Sequence, residues 1–238
     1  AVSPGGHWLA VASNAKDGSN RAALCDIAKH SYRWLTTDPW ESSAGNFSPD
    51  GKQVLYVVNA DGRSDIHLYD IASGKSRKLA LPDGLNTLSG NPTPFSADGS
   101  RLLVAHQSSS EPADYWIYPV AGGSPHQLTH SALASIKADV LPHSQLVHYK
   151  SFDGTVISAF LWMPANLKRD DSAPGVVLPH GGPTGQTVDS FNRTALALAS
   201  RGYVAIAPNV RGSTGYGMAF QKANITDLGG GDLQDEVY

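Results

Sequence analysis

The sequence predicts a mixed chain, all-β in its first part and α/β in its second. Three observations carry this. The stretch SPGGHWLAVAS begins at Ser3, FSPDGKQVLYVVN has its matching serine at Ser48, and FSADGSRLLVAHQ has it at Ser96, so a unit recurs after 45 and then 48 residues. From about Leu146 that pattern stops and a strand, helix, strand order takes over. Composition permits both parts: 41% of residues are hydrophobic and 16% charged, enough to build a core and too little charge for disorder.

In the first part each unit reads as short strands joined by turns. Asp50-Gly51 and Asp98-Gly99 supply turns in which glycine accepts positive φ. Val54–Val58 and Leu102–Ala105 then read as strands, and a further strand follows in each unit, in RAALCDIA, DIHLYDIASGKSRKL and DYWIYPVAGGSPHQLT. A period near 45 suits the four-stranded blades of a β-propeller. Residues 1–140 are therefore expected to form about three blades of a partial propeller, fewer than the 4–8 of a closed one.

In the second part, LVHYKSFDGTVISAFLWMP alternates about Asp153-Gly154 and reads as a hairpin. GVVL, from Gly175, is a short continuous apolar run and reads as a buried strand of a parallel sheet. DSFNRTALALASRG reads as a helix with Phe191, Ala195, Leu198 and Ala199 on one face and Gly202 just past its end. YVAIAPN is a second buried strand, so the three form a right-handed βαβ unit. GGGDLQDEVY opens another helix, with Asp232 as its cap and Asp235 and Glu236 as first-turn negative charge.

Several functions are disfavoured directly. The net charge is −3 and the densest basic cluster is KSRK at 75–78, so no nucleic-acid surface is expected. A single cysteine, Cys25, rules out an internal disulfide framework and a cysteine-rich zinc site. No apolar run reaches the roughly 20 residues of a membrane span. His126 and His130 stand four apart in HQLTH, but Gln127 occupies the place where a zinc-peptidase helix needs glutamate, so no metal is expected. SNAK at 13–16 matches a serine–lysine pattern only by chance, and the sequons at Asn192 and Asn224 carry no weight by themselves.

The order YKSFDGTVISAFLWMP, HGGP, RGYVAIAPNVRGSTGYG and GGGDLQDEVY resembles the prolyl oligopeptidase family of serine peptidases, in its acylaminoacyl-peptidase and dipeptidyl-peptidase-like branch. The resemblance implies an N-terminal β-propeller followed by an α/β-hydrolase domain, of which residues 141–238 would be the N-terminal part. It implies that the loop after GVVL gives one N–H to an oxyanion hole, with Gly182 as donor and Gly181 shaping the turn. His180, Pro183, Arg211 and Tyr216 would line the active site or support its loops. It implies no cofactor.

One departure is large. The family's nucleophile lies in a G-x-S-x-G elbow, and this sequence contains none. No member of the Ser/Asp/His triad is expected within residues 1–238, so the chain alone should be inactive and the remaining hydrolase segment is its expected partner. Short peptides or acyl-peptides are the implied substrates. A carboxylesterase on the same scaffold and a non-catalytic propeller scaffold with a hydrolase remnant stay open as alternatives. Oligomeric state and compartment are not specified by the sequence.

Overall fold

The structure is a computed structural model; it describes every residue except Ala132, Arg169, Asp171 and Pro183, and the side chain of Ala138. The chain divides into two compact units, Ala1–His106 with Ala113–His130, and Gln107–Pro112 with Ser131–Tyr238.

The first unit holds three antiparallel sheets, each a meander in chain order. The first contains β1 (Trp8–Ser13), β2 (Arg21–Asp26) and β3 (Ser31–Trp34). The second contains β4 (Ser42–Phe47), β5 (Gln53–Ala60), β6 (Arg63–Asp70) and β7 (Ser76–Lys78), and the third β8 (Leu85–Leu88), β9 (Arg101–Gln107), β10 (Asp114–Pro119) and β11 (His126–Gln127). The tightest hairpin, between β5 and β6, turns on Asp61 and Gly62 at φ 55° and 81°. Two consecutive positive φ values are what a two-residue turn matching the twist of its strands requires.

The sequence repeat is a hydrogen-bond repeat. In each unit the serine amide donates to the carbonyl five residues on, Ser3 to Trp8, Ser48 to Gln53 and Ser96 to Arg101, at 2.9 Å every time. The amides of Trp8, Gln53 and Arg101 donate back to the same serine hydroxyl oxygens at 3.0, 2.9 and 3.0 Å. The serine therefore closes the turn that starts each central hairpin.

Strand β5 shows how the core is organised. Val54, Tyr56 and Val58 are buried against Ala10, Ala22, Leu24 and Phe47, while Leu55 is buried against Ile66, Leu68, Leu102 and Val104. Successive residues of a strand point to opposite faces. The second sheet is thus covered on both sides, by the first sheet and by the third.

The second unit is one mixed sheet with helices. Its elements are β12 (Ser144–Lys150), β13 (Val156–Trp162), β14 (Gly175–Val177), α1 (Arg193–Ser200), β15 (Val204–Asn209), α2 (Met218–Lys222) and α3 (Gly231–Val237). The strand order is β12-β13-β15-β14; β14 and β15 are parallel and the other pairs antiparallel. α1 packs Ala195, Leu196 and Ala199 on Phe160, Trp162, Ala205 and Ala207. Small residues on both surfaces let the helix lie close to the sheet. Asn192 caps it, its side chain accepting from the Ala195 amide at 3.0 Å, and Gly202 follows its end at φ 90°.

Two sequence expectations are corrected here. β14 is not buried: Gly175 is exposed and Val177 is 41% exposed, because β14 is the outermost strand of the described sheet. Asp232 does not cap α3. The Gly231 amide donates instead to Asp227 Oδ2 at 2.9 Å, since Asp227 precedes the first turn whereas Asp232 lies within it. Among the described residues no helix is long and apolar enough to cross a membrane.

Candidate active site

The chain leaves β14 through Leu178, whose amide still donates to Ile206 O at 2.8 Å, and enters the loop Pro179–Ser190. The two adjacent glycines of this loop, Gly181 and Gly182, differ sharply. A Cβ on Gly181 would meet nothing within 4 Å. Gly182 sits at φ +148°, and a Cβ there would lie 2.5 Å from Thr184 N and 2.9 Å from Thr184 C. Backbone on that side cannot yield without moving the loop, so Gly182 is a position where only glycine fits. The loop then folds back, and a Cβ on Gly185 would lie 2.7 Å from Gly181 O.

A second loop, residues 210–217, holds the first. His180 Nε2 lies 2.8 Å from Ser213 Oγ, and that hydroxyl donates to Val210 O at 2.6 Å. The other ring nitrogen, Nδ1, lies 3.2 Å from Gly181 O, so both nitrogens of His180 have an oxygen partner in the two loops. The Thr214 amide donates to Gly185 O at 2.8 Å. Thr187 donates its amide to Asn209 Oδ1 at 2.7 Å, and Asn209 Nδ2 donates to Thr187 O at 3.0 Å and to the Tyr216 hydroxyl at 2.8 Å. The Tyr216 ring is tilted against Phe220, with centroids 5.3 Å apart.

Arg211 points elsewhere. Its Nε and NH2 donate to the two oxygens of Asp235 at 2.9 and 2.7 Å, and its own backbone amide donates to Asp235 Oδ2 at 2.8 Å. NH1 donates to Asp153 Oδ2 at 2.9 Å, and the guanidinium lies over the Phe152 ring at 5.0 Å. Asp235 is completely buried. The charge expected to favour the helix start is instead one arm of a forked ion pair that ties α3 to β15 and to the β12–β13 turn. Gly231 makes room for it, since a Cβ there would lie 2.8 Å from Arg211 Cδ.

The electrostatics follow this geometry. The Arg211 guanidinium holds the Asp153 carboxyl well below the usual carboxylate range, and Asp235 first and Asp153 second push Arg211 further up. Burial, helped by the Asp235 charge, pushes the Tyr149 phenol up to about 12; its hydroxyl donates to Asp235 O. Burial and then Asp232 push the Glu236 carboxyl up, with His180 acting in the opposite direction.

His180, Gly181 and Gly182 therefore come together, with Ser213 against them. Tyr216 joins through Asn209, and Arg211 anchors a separate network. Pro183 lies outside the described residues. The sequence reading missed Asn209, Ser213 and the Arg211 partners. Asn209 offered a signal, a polar residue ending an apolar strand, and it is fully buried. A cavity of about 960 Å³ opens elsewhere in this unit, between α1 and the segments 133–142 and 164–174; the glycine loop does not line it. Among the described residues there is no cluster of metal-ligating side chains.

An antiparallel sheet repeat followed by a mixed sheet, with a glycine loop leaving its parallel strand, defines a chain of an all-β unit and an α/β unit. Residues 189–237 match the pattern of the prolyl oligopeptidase family. The peptidase YuxL of Bacillus subtilis is 26% identical over 77% of this chain and 27% of its own length. Dipeptidyl aminopeptidase BIII of Pseudoxanthomonas mexicana is 27% identical over 85% of this chain and 36% of its own. Among solved structures, a puromycin-hydrolyzing peptidase of Mycobacterium tuberculosis superposes with a TM-score of 0.79 over 97% of this chain and 36% of its own, at 22% identity. The chain spans roughly a third of the length of these relatives.

Proposed function

We propose that the chain is part of a serine peptidase acting on short peptides or acyl-peptides, to which it contributes half of the oxyanion hole. The observation that carries this is Gly182. It stands at a φ that side chains rarely adopt, at the C-terminal end of a parallel strand, with no room for a Cβ. Ligand sites of such sheets lie beyond the carboxyl ends of the strands. A backbone N–H presented there, with no side chain in the way, suits a developing oxyanion, and removing one such donor costs roughly 2.7–4 kcal/mol in comparable sites. His180 lines the site in this reading, and Arg211 and Tyr216 support its loops.

The nucleophile, the base and the second oxyanion donor come from the remaining hydrolase segment, which brings a further strand to the free edge of β14. The serine attacks the peptide carbonyl, a histidine takes its proton and returns it to the leaving amine, and an aspartate orients the histidine. The three sheets of the first unit are read as consecutive propeller blades, supported by their shared serine turn, and residues 141–238 as the start of the hydrolase domain. The reading needs no cofactor.

A fluorophosphonate probe tests the division of labour. The full-length protein should be labelled at a serine outside this sequence, and residues 1–238 alone should take no label. Labelling of a serine within 1–238, or ester turnover by this segment alone, would overturn it. In the full-length protein Gly182→Ala should lower kcat by about 10²–10³, the scale of losing an oxyanion donor. Gly181→Ala should change it little; equal effects at the two positions would count against Gly182 as the donor.

A further inference from the structure

Asn209 ends β15 and is fully buried, yet its side chain serves another segment. It accepts from the Thr187 amide and donates to the Thr187 carbonyl, so one side-chain amide pairs with both backbone polar groups of one residue. That is the exchange an opposed residue makes in an antiparallel ladder. A side chain thus stands in for a strand where the backbone of residues 184–190 runs past β15 in no regular element. The second proton of Nδ2 goes to Tyr216, in the loop that also holds His180 through Ser213.

We infer that Asn209 is a positioning residue for the glycine loop, fixing its return limb at Thr187 and tying it to the Tyr216 loop. The catalytic consequence rests on the oxyanion reading above; the structural one does not. The residue type is specific. Aspartate of the same shape keeps the acceptor for Thr187 N–H but loses both donations and sets a charge beside the Thr187 carbonyl. Alanine loses all three bonds. β15 itself is held on one side by β13 and on the other by β14, so the strand should survive the substitution and the loop should not.

Hydrogen exchange read by mass spectrometry on residues 1–238 tests the structural half. In Asn209→Ala, amides of 180–190 should exchange about tenfold faster or more, while β13 and β15 keep wild-type rates. Asn209→Asp, nearly isosteric and so safer for folding, should show the same change more weakly. Wild-type rates across 180–190 in both variants would overturn the inference. In the full-length protein, Asn209→Ala should lower kcat by about 10²-fold through misplacement of the donor, with KM nearly unchanged. A loosened loop with wild-type kcat would overturn the catalytic role of Asn209, and the Gly182→Ala result then separates that failure from failure of the oxyanion assignment.

Discussion

The repeat turns of the first unit and the glycine loop of the second are both tight, but they are held in opposite ways. Each repeat turn is closed by its own serine, which bonds residues no more than five positions away. In the second and third repeats the serine also donates to an aspartate two residues on, at 2.7 and 2.6 Å. The glycine loop is closed by residues 22 to 33 positions distant, Asn209 and Ser213. The first arrangement forms wherever the short motif occurs. The second forms only when β15 and the 210–217 loop are already in place, and a second element can therefore move or fix it.

The largest expected effect lies on the long-range side. Asp235→Ala leaves Arg211, 12% exposed along its side chain, without the carboxylate that takes three of its bonds. Breaking a buried pair by removing one partner costs about 3–5 kcal/mol. Pulse proteolysis in urea should show the second unit opening at clearly lower urea, while the first unit is unmoved. Asp153→Ala removes the more exposed partner of the same arginine and should shift the midpoint far less. Equal shifts would mean that Arg211 is anchored as much from the β12–β13 turn as from α3.

That asymmetry also decides what could be read from the sequence. The β-strands, the repeat, the hairpin about Asp153-Gly154, the helix after Asn192 and the glycine loop each have a local signature. The positions of Gly181, Gly182, His180, Arg211 and Tyr216 followed from motifs. Their partners did not: Arg211 meets an aspartate 24 residues on, and Tyr216 meets the end of a strand. Hydrophobicity read Gly175–Leu178 as buried, yet burial of a strand depends on neighbours that its own residues do not encode. Asp232 was read as a cap by its type, whereas Asp227 holds that role by its place ahead of the first turn.

A smaller effect, also on the long-range side, is set by pH. The Tyr149 phenol is raised to about 12, mainly by burial, and its ordinary value is about 10. A raised folded value stabilises the neutral form. The contribution is therefore complete below about pH 10 and is lost as pH rises towards about 12. Tyr149→Phe removes the hydrogen bond to Asp235 O, at a cost of about 1 kcal/mol near neutral pH. It should also flatten the fall in stability of the second unit between those pH values. An unchanged alkaline slope in the variant would assign that slope to another group.

The smallest effect separates what is local in the repeat turns from what is not. Gly6, Gly51 and Gly99 have φ of 69°, 70° and 72°. Alanine at any of them meets the same left-handed penalty, about 1–2 kcal/mol. Their surroundings differ. A Cβ on Gly6 meets nothing within 4 Å, whereas one on Gly51 lies 3.3 Å from Pro4 Cδ and one on Gly99 lies 3.3 Å from Pro49 Cδ. Each later turn packs on the proline of the repeat before it. Gly51→Ala and Gly99→Ala should therefore destabilise the first unit equally, and slightly more than Gly6→Ala, in urea titrations. Because φ is common to all three, the difference measures only the contact between repeats. Three equal shifts would mean that the prolines yield freely and that successive repeats are joined by their strand cores alone.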